Sequence, residues 1–309
     1  MRKYFPIIIS FILIIIAGYV VISKKHEKSS SDMQKEQVAY IGTFGVQRKC
    51  ARFPQFIKRL KIPQPVMIDL SQKRYTGISL YYGQKLEKTL HLKQWEQYEH
   101  FSTYTLDEQG NIYLVPMPFI SIHPTTFNLQ KNIYKLDTQT GKISIFMHFD
   151  DVKPTASNPY GINAIVYDCQ DKTLWVAAID ESDYQSQKGI IYHINLKTKE
   201  ILQRIEGVDV LSMALIKSSK GKFLLVGSAR DSGLYAYAIE HNRIQKGAVK
   251  LLELSNSNEH IRKIKITSNN KLELQSIPFS YTLITQTAKK DRMYYQVIWD
   301  KTKKKWKIK

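Results

Sequence analysis

Six side chains stand out for the chemistry their types allow: His123, Tyr160, Asp180, Asp209, Arg230 and Asp231. Asp180 and Asp209 could offer carboxylate oxygens to a hard divalent cation. Arg230 and Asp231 are adjacent and of opposite sign, a pair that can grip a polar or charged ligand. Tyr160 adds an aromatic face with a hydroxyl at its tip, and His123, between Pro116 and Pro124, is the best general-base candidate among eight scattered histidines. None of the six sits in a local catalytic signature. The chain has no His-Glu-x-x-His, His-x-His or Gly-x-Ser-x-Gly motif and no phosphate-binding glycine loop, which removes the usual zinc-hydrolase, α/β-hydrolase and nucleotide-enzyme patterns. Its two cysteines, Cys50 and Cys169, are too few for a disulfide framework or a four-ligand zinc site. In an exported domain the two could bridge; with Cys169 in a tight turn and Cys50 in an irregular segment, the sequence does not place them together, and two free thiols are the favoured expectation.

These residues need a scaffold, and the sequence repeats one. An apolar residue followed by tyrosine recurs as Leu80-Tyr81, Ile133-Tyr134, Ile191-Tyr192, Leu234-Tyr235 and Met293-Tyr294. Each pair lies within a unit of four short strands with an aspartate- or lysine-rich turn after the first strand and another after the third. Antiparallel units of this size bury both faces only by packing on one another in a ring, so the expected fold is an all-β propeller of four-stranded antiparallel blades. Five blades are counted, with six left open; a sandwich of twelve or more strands is the competing arrangement. The first unit is the least regular, with strands expected near 65–71, 75–82 and 86–92 and a further strand from 38–44. Short helices are expected at 55–60 and 93–100.

Blade geometry sends the loops to two faces. The turns after the first and third strands leave on one side and are short. The loops after the second strand, together with the crossovers between blades, leave on the other; they include 116–131, 178–189, 227–233 and 276–292. Long loops on a rigid scaffold are where binding usually resides. That face gathers Asp150, Asp151, Asp180, Glu181, Asp183, Asp209 and Asp231 with Arg230, His123, Tyr160, Tyr184 and Tyr281, and is comparatively acidic. The short-turn face and outer strands collect Lys142, Lys172, Lys197, Lys199, Lys220, Lys222, Lys271 and the lysine-rich tail 301–309.

The chain has 309 residues and a formal charge of +19, most of it outside the first 28 residues. Arg2 and Lys3 precede an almost unbroken apolar run from Phe5 to Ile22, followed by Lys24, Lys25 and Lys28. As a helix the run would rise about 27 Å, close to the hydrocarbon thickness of a bilayer. It is read as an uncleaved signal anchor, because no small-x-small cleavage site and no nearby cysteine follow it. The expected organisation is an anchor with flanking charges over 1–28, a linker over 29–37 and a propeller over 38–309. The propeller is placed outside the cytoplasm, periplasmic or at the cell surface. Basic residues without a nucleic-acid motif, in an exported domain, argue against nucleic acid as a partner and toward anionic lipid headgroups or acidic glycans.

The stretch Pro159-Tyr160-Gly161-Ile162-Asn163-Ala164-Ile165-Val166-Tyr167-Asp168, continuing through Leu174-Trp175-Val176 to Asp180, resembles one blade of the gluconolactonase and senescence-marker-protein family, and of NHL and Yellow-type propellers. The shared pattern is a Pro-x-Gly-Ile crossover, an inner strand, an aspartate turn and an aromatic-containing second strand ending in Asp. The resemblance implies a propeller. In the lactonase family it would also imply a catalytic divalent cation held by an Asn between the Pro and the Gly, where this chain has Tyr160. Asp209, in Gly207-Val208-Asp209-Val210, is the counterpart of a later family ligand, without the glycine expected after it. The leading expectation is a membrane-anchored module that binds a protein, glycan or small molecule at the long-loop face. A metal-dependent lactonase-like hydrolase and an inhibitor or immunity-type partner of another exported protein are the alternatives.

Overall fold

The computed structural model describes residues 41–45, 50–70, 74–119, 124–245, 247–268, 270–283 and 292–309. The apolar run, its flanking charges, the linker and His123 lie outside the described residues. No helix among the described residues is long and apolar enough to cross a membrane.

Five antiparallel sheets stand as the blades of a propeller, in chain order. The first holds β1 (Val66–Asp69), β2 (Ser79–Tyr82) and β3 (Lys88–Leu90). The second holds β4 (Phe101–Leu106), β5 (Ile112–Pro116), β6 (Asn132–Leu136) and β7 (Ile143–His148), and the third β8 (Ile162–Asp168), β9 (Thr173–Ala178), β10 (Ile190–Asn195) and β11 (Ile201–Glu206). In the fourth, β12 (Val210–Ser218), β13 (Gly221–Ser228) and β14 (Gly233–Glu240) are followed by β15 (Arg243–Ile244) and β16 (Val249–Glu253), which share the outer position by pairing with different parts of β14. The fifth holds β17 (Glu259–Ser268), β18 (Lys271–Pro278), β19 (Met293–Asp300) and β20 (Lys305–Ile308). The count is therefore five, and the stacked-layer alternative does not hold. The helix α1 (Gln55–Arg59) and a 3-10 turn at Lys93–Trp95 fall where short helices are expected.

The second, third and fourth blades bury apolar side chains on both faces against their neighbours. One cluster joins the first and second blades through Ile78, Leu80, Leu114 and Leu136; another joins the second and third through Val115, Ile133, Val176 and Tyr192. Trp175, Ile191, Leu224 and Val226 join the third to the fourth, and Ile216, Leu225, Ile261 and Leu274 join the fourth to the fifth. Middle strands buried on both sides read as continuous apolar runs: all six residues of β9 (Thr-Leu-Trp-Val-Ala-Ala) are buried. The outer β11, covered on one side only, holds only exposed and half-buried residues. Blade contact is close enough at Gly161 that a Cβ there would collide with the Gln130 carbonyl oxygen, so the entrance to the third blade tolerates no side chain.

The described part of the segment 38–44, from Ile41, does not add a strand to the first blade. It lies under the fourth and fifth blades: Phe44 bridges Ser218, its N–H donates to Asn270 Oδ1 at 2.8 Å, and Ser219 N–H donates to the Thr43 carbonyl at 2.9 Å. The reason is apolar burial. Ile41 is 0% and Phe44 4% exposed within the core between those blades, and the Phe44 ring stacks on Trp306 at 5.7 Å. Cys50 is bonded to Cys169, with their Cα atoms 6.1 Å apart, which corrects the expectation of two free thiols. The cysteines meet because the segment returns under the turn between β8 and β9. Arg52 N–H then donates to Asp107 O at 3.1 Å, and Phe56 N–H to Thr138 O at 2.8 Å, in the short turns of the second blade. The described residues 41–45 and 50–62 thus form a strap along the short-turn face, from the last two blades to the core between the first and second.

Candidate functional site

The inner strands β4, β8, β12 and β17 enter from the long-loop face, and all four carry a β-bulge near that end, where the register shifts between Phe101 and Thr103, Ile162 and Ala164, Val210 and Ser212, and Ile261 and Lys263. A bulge re-aims the residue it displaces. The displaced residues are Ser102, Asn163, Leu211 and Arg262. Two of them cross to the neighbouring blade: Asn163 Nδ2 donates to Val210 O at 2.6 Å, and Arg262 Nη1 donates to Leu211 O at 3.3 Å.

Above the bulges the loop after β18 folds inward. Phe279 and Tyr281 pack with Tyr160, Ile179, Leu211 and Ala229 from the third and fourth blades. Ring contacts run from Tyr160 to Phe279 (5.3 Å), Phe279 to Tyr281 (5.0 Å) and Tyr281 to Tyr184 (5.3 Å), with His260 on the other side of Phe279 at 5.4 Å. Edge-on and tilted contacts of this kind fit the aromatic quadrupole. Burial raises the phenol pKa of Tyr160 and lowers the pKa of the His260 imidazole, so both are neutral at physiological pH. Tyr184, the outermost ring, is 66% exposed.

Asp209 anchors this aromatic cap from below. It is 1% exposed, and its carboxylate accepts from Ser182 Oγ at 2.6 Å, Gly189 N–H at 2.9 Å and Tyr281 OH at 2.7 Å. One carboxylate therefore ties the 178–189 loop, its own blade entrance and the loop after β18. Asp180 is 7% exposed and accepts from the Lys153 N–H at 2.5 Å. Burial raises its pKa, and the nearby Glu181 and Asp151 add to that against the Lys153 hydrogen bond.

Arg230 reaches over the rim, donating through Nη2 to the Tyr184 carbonyl at 2.7 Å and through Nη1 to the Asp183 carbonyl. Asp231 accepts from Tyr235 OH at 2.5 Å and from Gly233 N–H at 3.0 Å, and pairs with Lys250 Nζ at 3.0 Å. Burial opposes its ionisation, but these donors outweigh it and hold the carboxyl below its ordinary range. Asp209, Arg230 and Asp231 line one cavity of about 150 Å³ with Tyr235, Tyr237, Ser228 and Gln187. Tyr160 joins them through Phe279 and Tyr281, and Asp180 through Ser182, whose hydroxyl contacts both the Asp180 carbonyl and Asp209.

The carboxylates do not fit a divalent cation. Both oxygens of Asp209 face donor hydrogens, Asp180 is turned to the Lys153 amide, and Tyr160 stands where the resemblance implied an Asn ligand. Among the described residues no three His, Cys, Asp or Glu side chains converge as a ligand set. Phe279, His260 and Arg262 also stand here, although no motif in the sequence points to them. Aligning the repeats on their inner strands would have flagged Arg262, the one charge among four equivalent positions; nothing local marks the other two.

No protein-family model matches the chain, and no curated protein matches it by sequence. Similar solved structures include the extracellular domain assigned to a one-component system of B. thetaiotaomicron, at 15% identity and a TM-score of 0.44, covering 64% of this chain and 24% of that one. A glucose dehydrogenase is similar at 15% identity and a TM-score of 0.43, over 75% of each chain. An exo-β-1,3-galactanase of Phanerochaete chrysosporium is similar at 10% identity and a TM-score of 0.45, covering 80% of this chain and 61% of that one.

Proposed function

We propose that this protein is a membrane-tethered, extracytoplasmic propeller whose long-loop face is a recognition surface for a glycan or protein ligand. The observation that carries the reading is the continuous aromatic cap ending in exposed Tyr184, set beside the cavity of Arg230 and Asp231. Aromatic rings with an arginine and a carboxylate at their edge supply stacking area and directional hydrogen bonds, the usual make-up of binding hot spots. The carboxylates that acid–base or metal chemistry would need are instead spent on holding loops in place. Such internal pairing keeps a surface rigid, which lowers the entropy cost of binding.

Two features support the extracytoplasmic placement. The apolar run 5–22 is long enough to span a bilayer as one helix, and the Cys50–Cys169 bond belongs to an oxidising compartment.

The test is calorimetric titration of the detergent-solubilised full chain with neutral and acidic oligosaccharides, alongside quantitative capture of envelope proteins. Tyr184→Ala and Arg230→Ala should each weaken the bound species roughly tenfold or more while leaving the thermal midpoint near that of the parent. Retention of full binding by both variants would remove the long-loop face as the site.

A further inference from the structure

The strap places the chain's exit toward its apolar run on one particular side of the propeller. Ile41 and Phe44 are buried beneath the fourth and fifth blades, at the turns holding Ser218, Ser219 and Asn270. The strap is then covalently pinned by Cys50–Cys169 under the third blade. The 18 residues between Ile22 and Ile41 have a root-mean-square reach of about 23 Å if they behave as a flexible coil. A compact domain of this length is about 45 Å across, wider than that reach, so the short-turn face is the one held beside the bilayer.

The same face is cationic. Lys58 and Lys61 on the strap, Lys142 and Lys197 in the turns after third strands, Lys271 at the start of β18 and Lys304 in the last turn are all exposed. Carboxylates of the face are turned to internal use. Asp168 and Asp171 both grip Lys222, Asp300 holds Lys307 at 3.0 Å, and Asp107 accepts from Asn111 and Tyr113. The strap also carries two exposed apolar side chains, Phe53 at 44% beside Arg52 and Leu60 at 48% between Arg59 and Lys61. Apolar groups flanked by cations are the composition that settles at a headgroup boundary.

We propose that the short-turn face rests on anionic phospholipid headgroups, with Phe53 and Leu60 dipping into the interface and the lysines around them neutralising lipid charge. The proposal rests on the tethered reading given above and adds an orientation to it: the long-loop face then points away from the membrane, open to its ligand.

The experiment reconstitutes the full chain in nanodiscs of phosphatidylcholine alone or with phosphatidylglycerol. Lysines are labelled with an amine-reactive acyl reagent and the labelling is read by peptide mass spectrometry. With the anionic lipid at low salt, Lys58, Lys61, Lys142, Lys197 and Lys271 should label about threefold or more slowly than in the neutral disc. Lys153 and Lys188, exposed at the long-loop face, should label equally in both discs. High salt should erase the difference, because it screens contacts between exposed charges. Equal labelling of the short-turn lysines in both discs, or slowing at Lys153 and Lys188 instead, would overturn the orientation. An alkaline wash of native membranes separates the two readings: release of the chain sinks the tether and the orientation together, whereas retention with uniform labelling sinks the orientation alone.

Discussion

Asp209 shows how a residue chosen for its chemistry can be employed in architecture. Its carboxylate satisfies three donors from two loops, Ser182 Oγ and Gly189 N–H in 178–189 and Tyr281 OH after β18, in a site closed to water, and removing it leaves the Gly189 N–H and the Tyr281 hydroxyl without their carboxylate acceptor. Asp209→Ala should cost about 3 kcal/mol of unfolding free energy and Tyr281→Phe about 1.5 kcal/mol, since buried donors left unpaired bear their full desolvation penalty. Urea melts of the solubilised chain would show this, and a parental midpoint in both variants would contradict the assigned role. His193 makes a second residue-scale prediction. It is 0% exposed, lies parallel to Trp175 at 4.0 Å and contacts Thr173 Oγ1 through Nε2 at 2.8 Å. Burial lowers its pKa to about 4, against an unfolded value of 6.5. Between those values the unfolded chain takes up a proton that the folded chain refuses, so stability rises with pH. It is lost as the pH falls from 6.5 toward 4, by about 3 kcal/mol in all. Unfolding free energies across that range should flatten in His193→Gln; an unchanged slope would assign the pH dependence to other groups.

At the scale of elements, the strand repeat was readable because alternation, turn chemistry and spacing are local. β5, β9, β13 and β18 and their flanking turns fall where the periodicity puts them. The bulges were not readable, since the extra residue is visible only against its partner strand. Neither was the strap: residues 41–62 hold no strong period, and their apolar side chains declare a destination only when blades exist to receive them. The disulfide belongs to the same category, joining positions 119 residues apart. Closing so long a loop restricts the unfolded chain considerably, so Cys50→Ser should lower stability by about 3–4 kcal/mol. The expected observation is a lower thermal midpoint and faster proteolysis between 45 and 62 while cleavage within the third blade stays slow. A variant as resistant as the parent would mean that the backbone hydrogen bonds hold the strap unaided.

For the whole molecule, the strap connects the far end of the blade series to its beginning. The apolar clusters join the first blade to the second and so on to the fifth; the strap runs back beneath them, wedged at Phe44 and tied at Cys169 and Asp107. Phe44→Ala should therefore cost more than an edge truncation, about 3–4 kcal/mol, by emptying a site between the last two blades and releasing Trp306 from its stack. Calorimetry that found a loss below 1 kcal/mol would place the wedge elsewhere. Charge also acts at this scale. A molecule of +19 with its carboxylates drawn into loops and turns presents different fields on its two faces, and the strap turns the more basic face toward the tether.

The sequence by itself determined an all-β repeat of short antiparallel strands, the separation of long loops from short turns and the presence of an apolar run long enough to span a bilayer. These follow from side-chain periodicity and turn residues within a few positions of one another. Five blades rather than six, and a ring rather than a sandwich, were decided by the structure. Only the tertiary structure decided that Asp180, Asp209 and Asp231 serve loops, that Phe279 packs between Tyr160 and His260 while Arg262 reaches the neighbouring blade, and that Cys50 meets Cys169. Those outcomes depend on which donors, rings and sulfurs distant parts of the chain bring together, and a carboxylate's chemistry is set by the partners that reach it.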